Sequence, residues 1–123
     1  MVDLSSLSRT VLIVAAPGIW RDALVSLIRA QPQFQVIAIL DTVADARDAF
    51  ARQGGDVVIA ENNADERSLL AFITWLHDVH SGVRCVVAVD TQIQQSRCHA
   101  AGAHATLLKG CLDEKLLRQA LAM

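Results

Sequence analysis

Three positions in this sequence matter for chemistry because each stands at the end of a short β-rich run. Glu61 closes Asp-Val-Val-Ile-Ala, Lys109 closes Ala-Thr-Leu-Leu, and Ala15-Ala16 closes Thr-Val-Leu-Ile-Val. In a parallel α/β sheet reactive groups gather at the carboxyl ends of the strands, so these positions should share one crevice. That crevice would hold one carboxylate and one amine. Mg2+ needs a near-octahedral shell of hard oxygen ligands, and one carboxylate is too little for metal-assisted phosphoryl transfer. Two arrangements remain for the charges: a Glu61–Lys109 ion pair across the crevice, or two solvated side chains. Exposed pairs are worth at most ~1 kcal/mol, so geometry decides between them.

Other residues with reactive side chains fit weaker patterns. His77 and His80 lie three apart on a helical run and could touch one metal, but a closed zinc site takes four ligands. Cys111 follows Lys109-Gly110 at a helix start, where a thiolate is favoured; a partly packed, inert thiol is the expectation. Cys85, Cys98 and Cys111 are odd in number and form no C-x-x-C pair, which indicates neither a disulfide framework nor a zinc knuckle. Asp90 stands at a strand end without an evident nucleophile or base beside it, and reads as a solvated loop residue. Pro17-Gly18 lacks the repeated glycine spacing of a phosphate-cradling loop and reads as a tight turn. Trp20 and Trp75 are either interface anchors or packing at the core edge, with Trp75, Phe72 and Val79 expected outside the inward stripe of their helix.

The elements that must position these residues alternate regularly. Apolar runs of strand length are Thr10–Val14 (β1), Phe34–Leu40 (β2), Val57–Ala60 (β3), Cys85–Val89 (β4) and Ala105–Leu108 (β5), the kind expected of strands covered on both faces. Helical spacing follows each: Ile19–Gln31 (α1) before Pro32, Val43–Arg52 (α2) before Gly54-Gly55, Ala64–His80 (α3) with Leu69, Leu70, Ile73 and Leu76 inward, Gln92–Ala101 (α4) before Gly102, and 112–121 (α5). Strands alternating with helices of this size imply an α/β fold, a doubly wound parallel sheet with helices on both faces.

Composition narrows the classes. The 123 residues fit one domain, 1–123, with 1–9 as an N-terminal extension. Apolar residues make up 53% of the chain, yet their runs fall far short of the roughly 20 needed to span a bilayer. The first nine residues lack the basic start and apolar core of a signal peptide, so a cytoplasmic location without a membrane partner is expected. A net charge of -2 gives no basic field for direct nucleic-acid binding.

Three segments together resemble one family. Val11-Leu-Ile-Val-Ala-Ala-Pro-Gly-Ile-Trp-Arg-Asp-Ala-Leu24 is similar to the opening of response-regulator receiver domains (CheY-like), in which a hydrophobic strand ends in two acidic residues and an Arg-acidic-x-Leu helix follows. Asp56-Val-Val-Ile-Ala-Glu61 resembles their third strand, ending in the phosphorylated aspartate, and Gly102-Ala-His-Ala-Thr-Leu-Leu-Lys109 resembles their Gly-Ala-x-x-x-x-x-Lys signature. The resemblance runs from about Thr10 to Leu121 and implies a five-stranded (βα)5 flavodoxin-like fold of strand order 2-1-3-4-5.

The departures from the family pattern carry the functional expectation. Ala15 and Ala16 replace two acidic metal positions, so Mg2+ binding is expected to be lost and no cofactor is implied. Glu61 occupies the phosphoacceptor position one methylene too long, and misplacement on that scale can cost ~100-fold. The hydroxyl-switch position aligns with Val89, or with Thr91 under another placement of the loop gap, and the aromatic-switch position with Thr106. Lys109 is the retained pocket lysine. The expectation is a pseudo-receiver, a non-enzymatic signal-transduction module of two-component type acting through phosphorylation-independent protein contacts. Glu61 and Lys109 would stand in for the phosphoaspartate–lysine contact. The resemblance implies protein partners, a histidine kinase or an effector domain, and a homodimer through the fourth helix, fifth strand and fifth helix, about Gln92 to Met123. Arg97, His99, His104, Lys115 and Arg118 are expected on that face, with Trp20 as a further contact. Two alternatives stand beside this reading: a phosphorylatable receiver switch using Glu61, and the N-terminal receiver fragment of a DNA-binding transcriptional regulator.

Overall fold

The computed structural model describes residues 8–63 and 65–122. The expected N-terminal extension lies largely outside the described residues, as does the expected start of the third helix at Ala64. The elements run β1 (Arg9–Val14), α1 (Ile19–Arg29), β2 (Phe34–Leu40), α2 (Val43–Gln53), β3 (Val57–Glu61), α3 (Glu66–Val79), β4 (Arg84–Val89), α4 (Gln92–Ala101), β5 (Ala105–Leu108) and α5 (Glu114–Leu121), with a short 3₁₀ turn at Lys109–Cys111. The five strands are all parallel, in the order β2-β1-β3-β4-β5.

Side chains alternate across a strand with a period of two, and here each parity feeds a separate core. Val11, Ile13, Ala15, Val57, Ile59, Val86, Ala88 and Leu107 pack with Leu24, Ile28, Leu117 and Leu121 of α1 and α5. Leu12, Val14, Val58, Ala60, Val87 and Val89 pack on the other face with Phe50, Leu69, Phe72, Ile73 and Cys98 from α2, α3 and α4. The continuous apolar runs follow from this, because a strand covered on both faces has no position for water.

Helix starts are set by capping side chains. Thr42, Asp65, Thr91 and Asp113 each accept from the backbone N–H three residues on, which satisfies one of the donors a helix start leaves open. Asp113 thus begins α5 at Glu114 rather than at Leu112. Two expectations about α3 are corrected. Phe72 is buried and Leu70 only half-buried, so the inward stripe is Leu69, Phe72, Ile73 and Leu76. Trp75 lies at the edge of that core, its ring 6.0 Å from those of Phe50 and Phe72, with the Arg47 guanidinium 4.7 Å above it.

Gly102 ends α4 with φ +120°, where only glycine is comfortable. A Cβ there would also stand 2.8 Å from Cβ of His77, so α3 and α4 approach closely at this point. Gly102→Ala is expected to destabilise the chain by about 1–3 kcal/mol, read as a lower urea midpoint at unchanged slope.

Candidate functional site

The pleat carries the site. Continuing the parity that faces α1 and α5 to the carboxyl end of each strand gives Glu61, the last residue of β3, and, just past β1, β4 and β5, Ala15, Asp90 and Lys109, each two residues beyond Ile59, Ile13, Ala88 and Leu107 in turn. All four meet at the carboxyl edge of the sheet. The Lys109 ammonium donates to the Asn62 carbonyl at 2.5 Å and lies 3.4 Å from both Glu61 Oε2 and Asp90 Oδ2. Glu61 and Lys109 keep only 15% and 17% of their side-chain surface exposed, so the solvated arrangement is not the one adopted. The second oxygen of Glu61 accepts the Ala16 N–H at 3.1 Å. Both carboxylate oxygens of Glu61 are therefore engaged by this chain's own donors.

The surroundings hold this set in place. Asn62 is fully buried; its N–H donates to the Ala88 carbonyl at 2.8 Å, fixing the chain as it leaves β3. The Trp20 indole donates to the Lys109 carbonyl at 3.2 Å, tying α1 to the turn before α5. Trp20 is half-buried against the α1 and α5 core, a packed role rather than that of a free anchor. Arg21 reaches the Ala15 carbonyl at 3.1 Å and Asp41 Oδ1 at 2.5 Å, so a guanidinium tethers the end of β1. Pro17-Gly18 forms an exposed turn into α1.

As donors for Mg2+, these groups fit poorly. Ala15 and Ala16 contribute no side-chain oxygen, and the Glu61 and Asp90 carboxylates share one lysine, whereas Mg2+ takes several oxygens in near-ideal octahedral array.

Several sequence-predicted residues sit elsewhere. Val89 is fully buried with the opposite parity, facing α3 and α4, and the Thr91 hydroxyl caps α4 through Gln94; neither presents a hydroxyl to the crevice. Thr106 Oγ1 meets His99 Nε2 at 3.3 Å. Arg97 turns to Glu66 at the start of α3, at 2.9 Å, and so leaves the face of α4, β5 and α5. His104 lies at the amino end of β5, where its Nδ1 accepts the Cys85 N–H at 3.0 Å. Burial, then the nearby Arg84, hold His104 below the usual histidine range. Lys115 and Arg118 are exposed on α5.

His77 and His80 do not converge: His80 stacks edge-on against Phe50 and Trp75, and His77 underlies Gly102. Among the described residues no three His, Cys, Asp or Glu side chains stand where they could hold one ion. Sequence reasoning missed Asp90, Asn62 and Arg21 as parts of the crevice. The parity count from Ala88 would have found Asp90.

The comparisons with known proteins can be set against this geometry. No protein-family model matches the chain, nor does any curated protein. Solved structures do. A DNA-binding response regulator of the LuxR family from Staphylococcus aureus superposes with TM-score 0.79 at 18% identity, covering 91% of this chain and 98% of its own. The fold is that of a response-regulator receiver domain. A two-component response regulator of the LuxR family from Aurantimonas sp. SI85-9A1 matches that receiver fold with TM-score 0.79 at 18% identity, over 91% of this chain and 81% of its own. The signal receiver domain of an HD domain-containing protein from Pseudomonas fluorescens Pf-5 matches with TM-score 0.78 at 16% identity, over 93% of this chain and 91% of its own. No helix among the described residues is long and apolar enough to cross a membrane.

Two predictions arise from the site. Lys109 keeps two acceptors when Glu61 is neutralised, so Glu61→Gln should cost about 1 kcal/mol, between the values for exposed and buried pairs. Lys109→Gln removes the shared cation and leaves two carboxylates facing each other, so its cost should be about 2 kcal/mol or more; urea unfolding of both variants compares them.

The thiols should separate by burial. Cys85 and Cys98 are buried and Cys111 is exposed, so Ellman's reagent should count one fast thiol in the folded chain and three after unfolding. Burial pushes Cys85 up to about 12, above the ~8.5 of an unfolded thiol. The unfolded chain therefore loses this proton first. The Cys85 contribution to stability should be complete below about pH 8.5 and fall as pH rises toward 12, read from urea midpoints.

Proposed function

We propose that this chain is a signal-transduction module of two-component type whose receiver fold works through protein contacts without accepting a phosphoryl group, and that Mg2+ binding has been lost. The observation that carries the reading is the engagement of both Glu61 oxygens, one by the Ala16 N–H and one by Lys109. Whichever Glu61 oxygen attacked phosphorus would first have to leave its donor, and Ala15 and Ala16 offer no carboxylate to hold a metal against the incoming charge. Glu61 then acts as a fixed counter-charge for Lys109, holding the domain in one conformation. Its partners are other signalling proteins, a histidine kinase or an effector domain, and the domain itself is not an enzyme.

A second reading places this module at the head of a DNA-binding regulator. It is favoured by the similarity to the S. aureus structure, which is described as a DNA-binding response regulator.

Titration with Mg2+ and beryllium fluoride, a mimic of an aspartyl phosphate, tests the first reading. The amide resonances of Glu61 and Lys109 and the indole N–H of Trp20, which donates to Lys109, should show no saturable change. Saturable shifts that require Mg2+ would mean that Glu61 supports a phospho-like state, and the proposal would fall.

A further inference from the structure

Cys85 turns both of its backbone groups toward β5, and one residue meets both. Its carbonyl accepts the His104 N–H at 2.9 Å, and its N–H donates to His104 Nδ1 at 3.0 Å. The backbone ladder between the two strands begins only at Val86 and Ala105, because the chain enters β5 from the turn at Gly102. The imidazole therefore stands where a strand carbonyl would otherwise close the first rung. Cys85 is only 1% exposed, so its N–H has no water to turn to when the ring is gone.

A ring nitrogen that accepts a hydrogen bond cannot carry a proton, so the contact fixes His104 as the neutral imidazole with its proton on Nε2. Protonation would set one N–H against another, and the ring would have to leave its place. The surroundings add to that cost. Arg84 on β4 and His77 on α3 are the cations near the ring, the first held by the Ala120 carbonyl of α5 at 2.7 Å and the second packed under Gly102. His99 on α4 turns its Nδ1 to the Ala103 carbonyl at 3.2 Å. Asp56, just ahead of β3, binds Thr10 instead, and Asp78, exposed beside His77, pairs with neither histidine. Among the described residues no carboxylate forms an ion pair with His104.

We propose that His104 is a proton-operated latch on the amino end of β5: neutral, it closes the first rung between β4 and β5; protonated, it releases Cys85 and frees the entry of the strand from the α4 turn. β5 is four residues long, and its two ends are pinned by unlike means, the charge of Lys109 at one and a titratable ring at the other. Mild acid would release one end and leave the other held. Burial, Arg84 and His77 keep His104 below the usual histidine range, so on acidification the unfolded chain takes this proton first. The contribution of the latch to stability is therefore complete well above pH ~6.5, the value of an unfolded histidine, and is lost as pH falls through that value toward the lower one of the folded ring. The inference uses no residue of the Glu61 crevice and holds whether or not that site accepts a phosphoryl group.

An NMR titration of the full chain from about pH 8 to about pH 5 spans the range in which histidine changes charge. At the upper end the ring nitrogens of His104 should show the Nε2–H form. The Cys85 amide proton should shift with the midpoint of the His104 ring itself, and that midpoint should lie below ~6.5. The hydrogen-exchange protection factor of the Cys85 amide should fall about tenfold across it, the effect of one buried donor left unpaired. His104→Asn offers an amide oxygen that accepts the same N–H without titrating, so this variant should keep Cys85 protected at both ends of the range, whereas His104→Ala should leave it poorly protected at both. An Nδ1–H ring at the upper end, a Cys85 amide that ignores the His104 titration, or an Asn variant with the full acid response would each overturn the latch. The first two are read on the unaltered chain, so they decide even where a variant does not fold.

Discussion

A lysine ammonium that has given up most of its water must be supplied with acceptors, and the carboxyl edge of this sheet is arranged around that requirement. Lys109 leaves β5 at the sheet edge and collects a carbonyl from the end of β3 and carboxylates from Glu61 and Asp90. Three strand ends are joined by one cation. The tie extends further: Glu61 also holds the start of the β1–α1 turn through Ala16, and the Lys109 carbonyl anchors Trp20 of α1. In a crevice with an open metal site these groups would be free to rearrange around a ligand. Here they are already committed to one another.

What the sequence made legible follows from periodicity. Strands buried on both faces announce themselves as apolar runs, and five such runs separated by helical spacing imply the α/β sheet. The caps went unread: Thr91 and Asp113 accept the backbone N–H groups of Gln94 and Leu116, and Asp113 moves the start of the last helix past Leu112. The same two-residue count that aligns Ile59 with Glu61 and Leu107 with Lys109 also carries Ala88 to Asp90 and turns Val89 away. Reading β4 by family pattern rather than by pleat put the valine at the crevice and missed the contact that Asp90, exposed as expected, makes with Lys109.

The remaining differences concern long-range partners, which no local spacing encodes. Arg97 has a helical phase compatible with several surfaces, and the close approach of Gly102 to His77, with the Thr74 hydroxyl donating to the Ala101 carbonyl, sets how α4 lies on α3 and hence which acid Arg97 meets. His104 is similar. It is exposed before β5, and the stagger of β4 and β5 aims the Cys85 N–H at its ring. In α3, both Leu70 and Phe72 fit an apolar stripe, and the larger ring takes the core position.

The crevice also settles how the end of β5 is held. β5 is only four residues long, and so short an edge strand would fray if its end were free. Lys109, the next residue, is fixed by Asn62, Glu61 and Asp90, and its carbonyl by Trp20. The charges beyond the strand end thus hold the carboxyl end of β5 in place. The tie reaches across the sheet edge, because Glu61 carries the Lys109 contact on one oxygen and the Ala16 N–H at the start of the β1–α1 turn on the other.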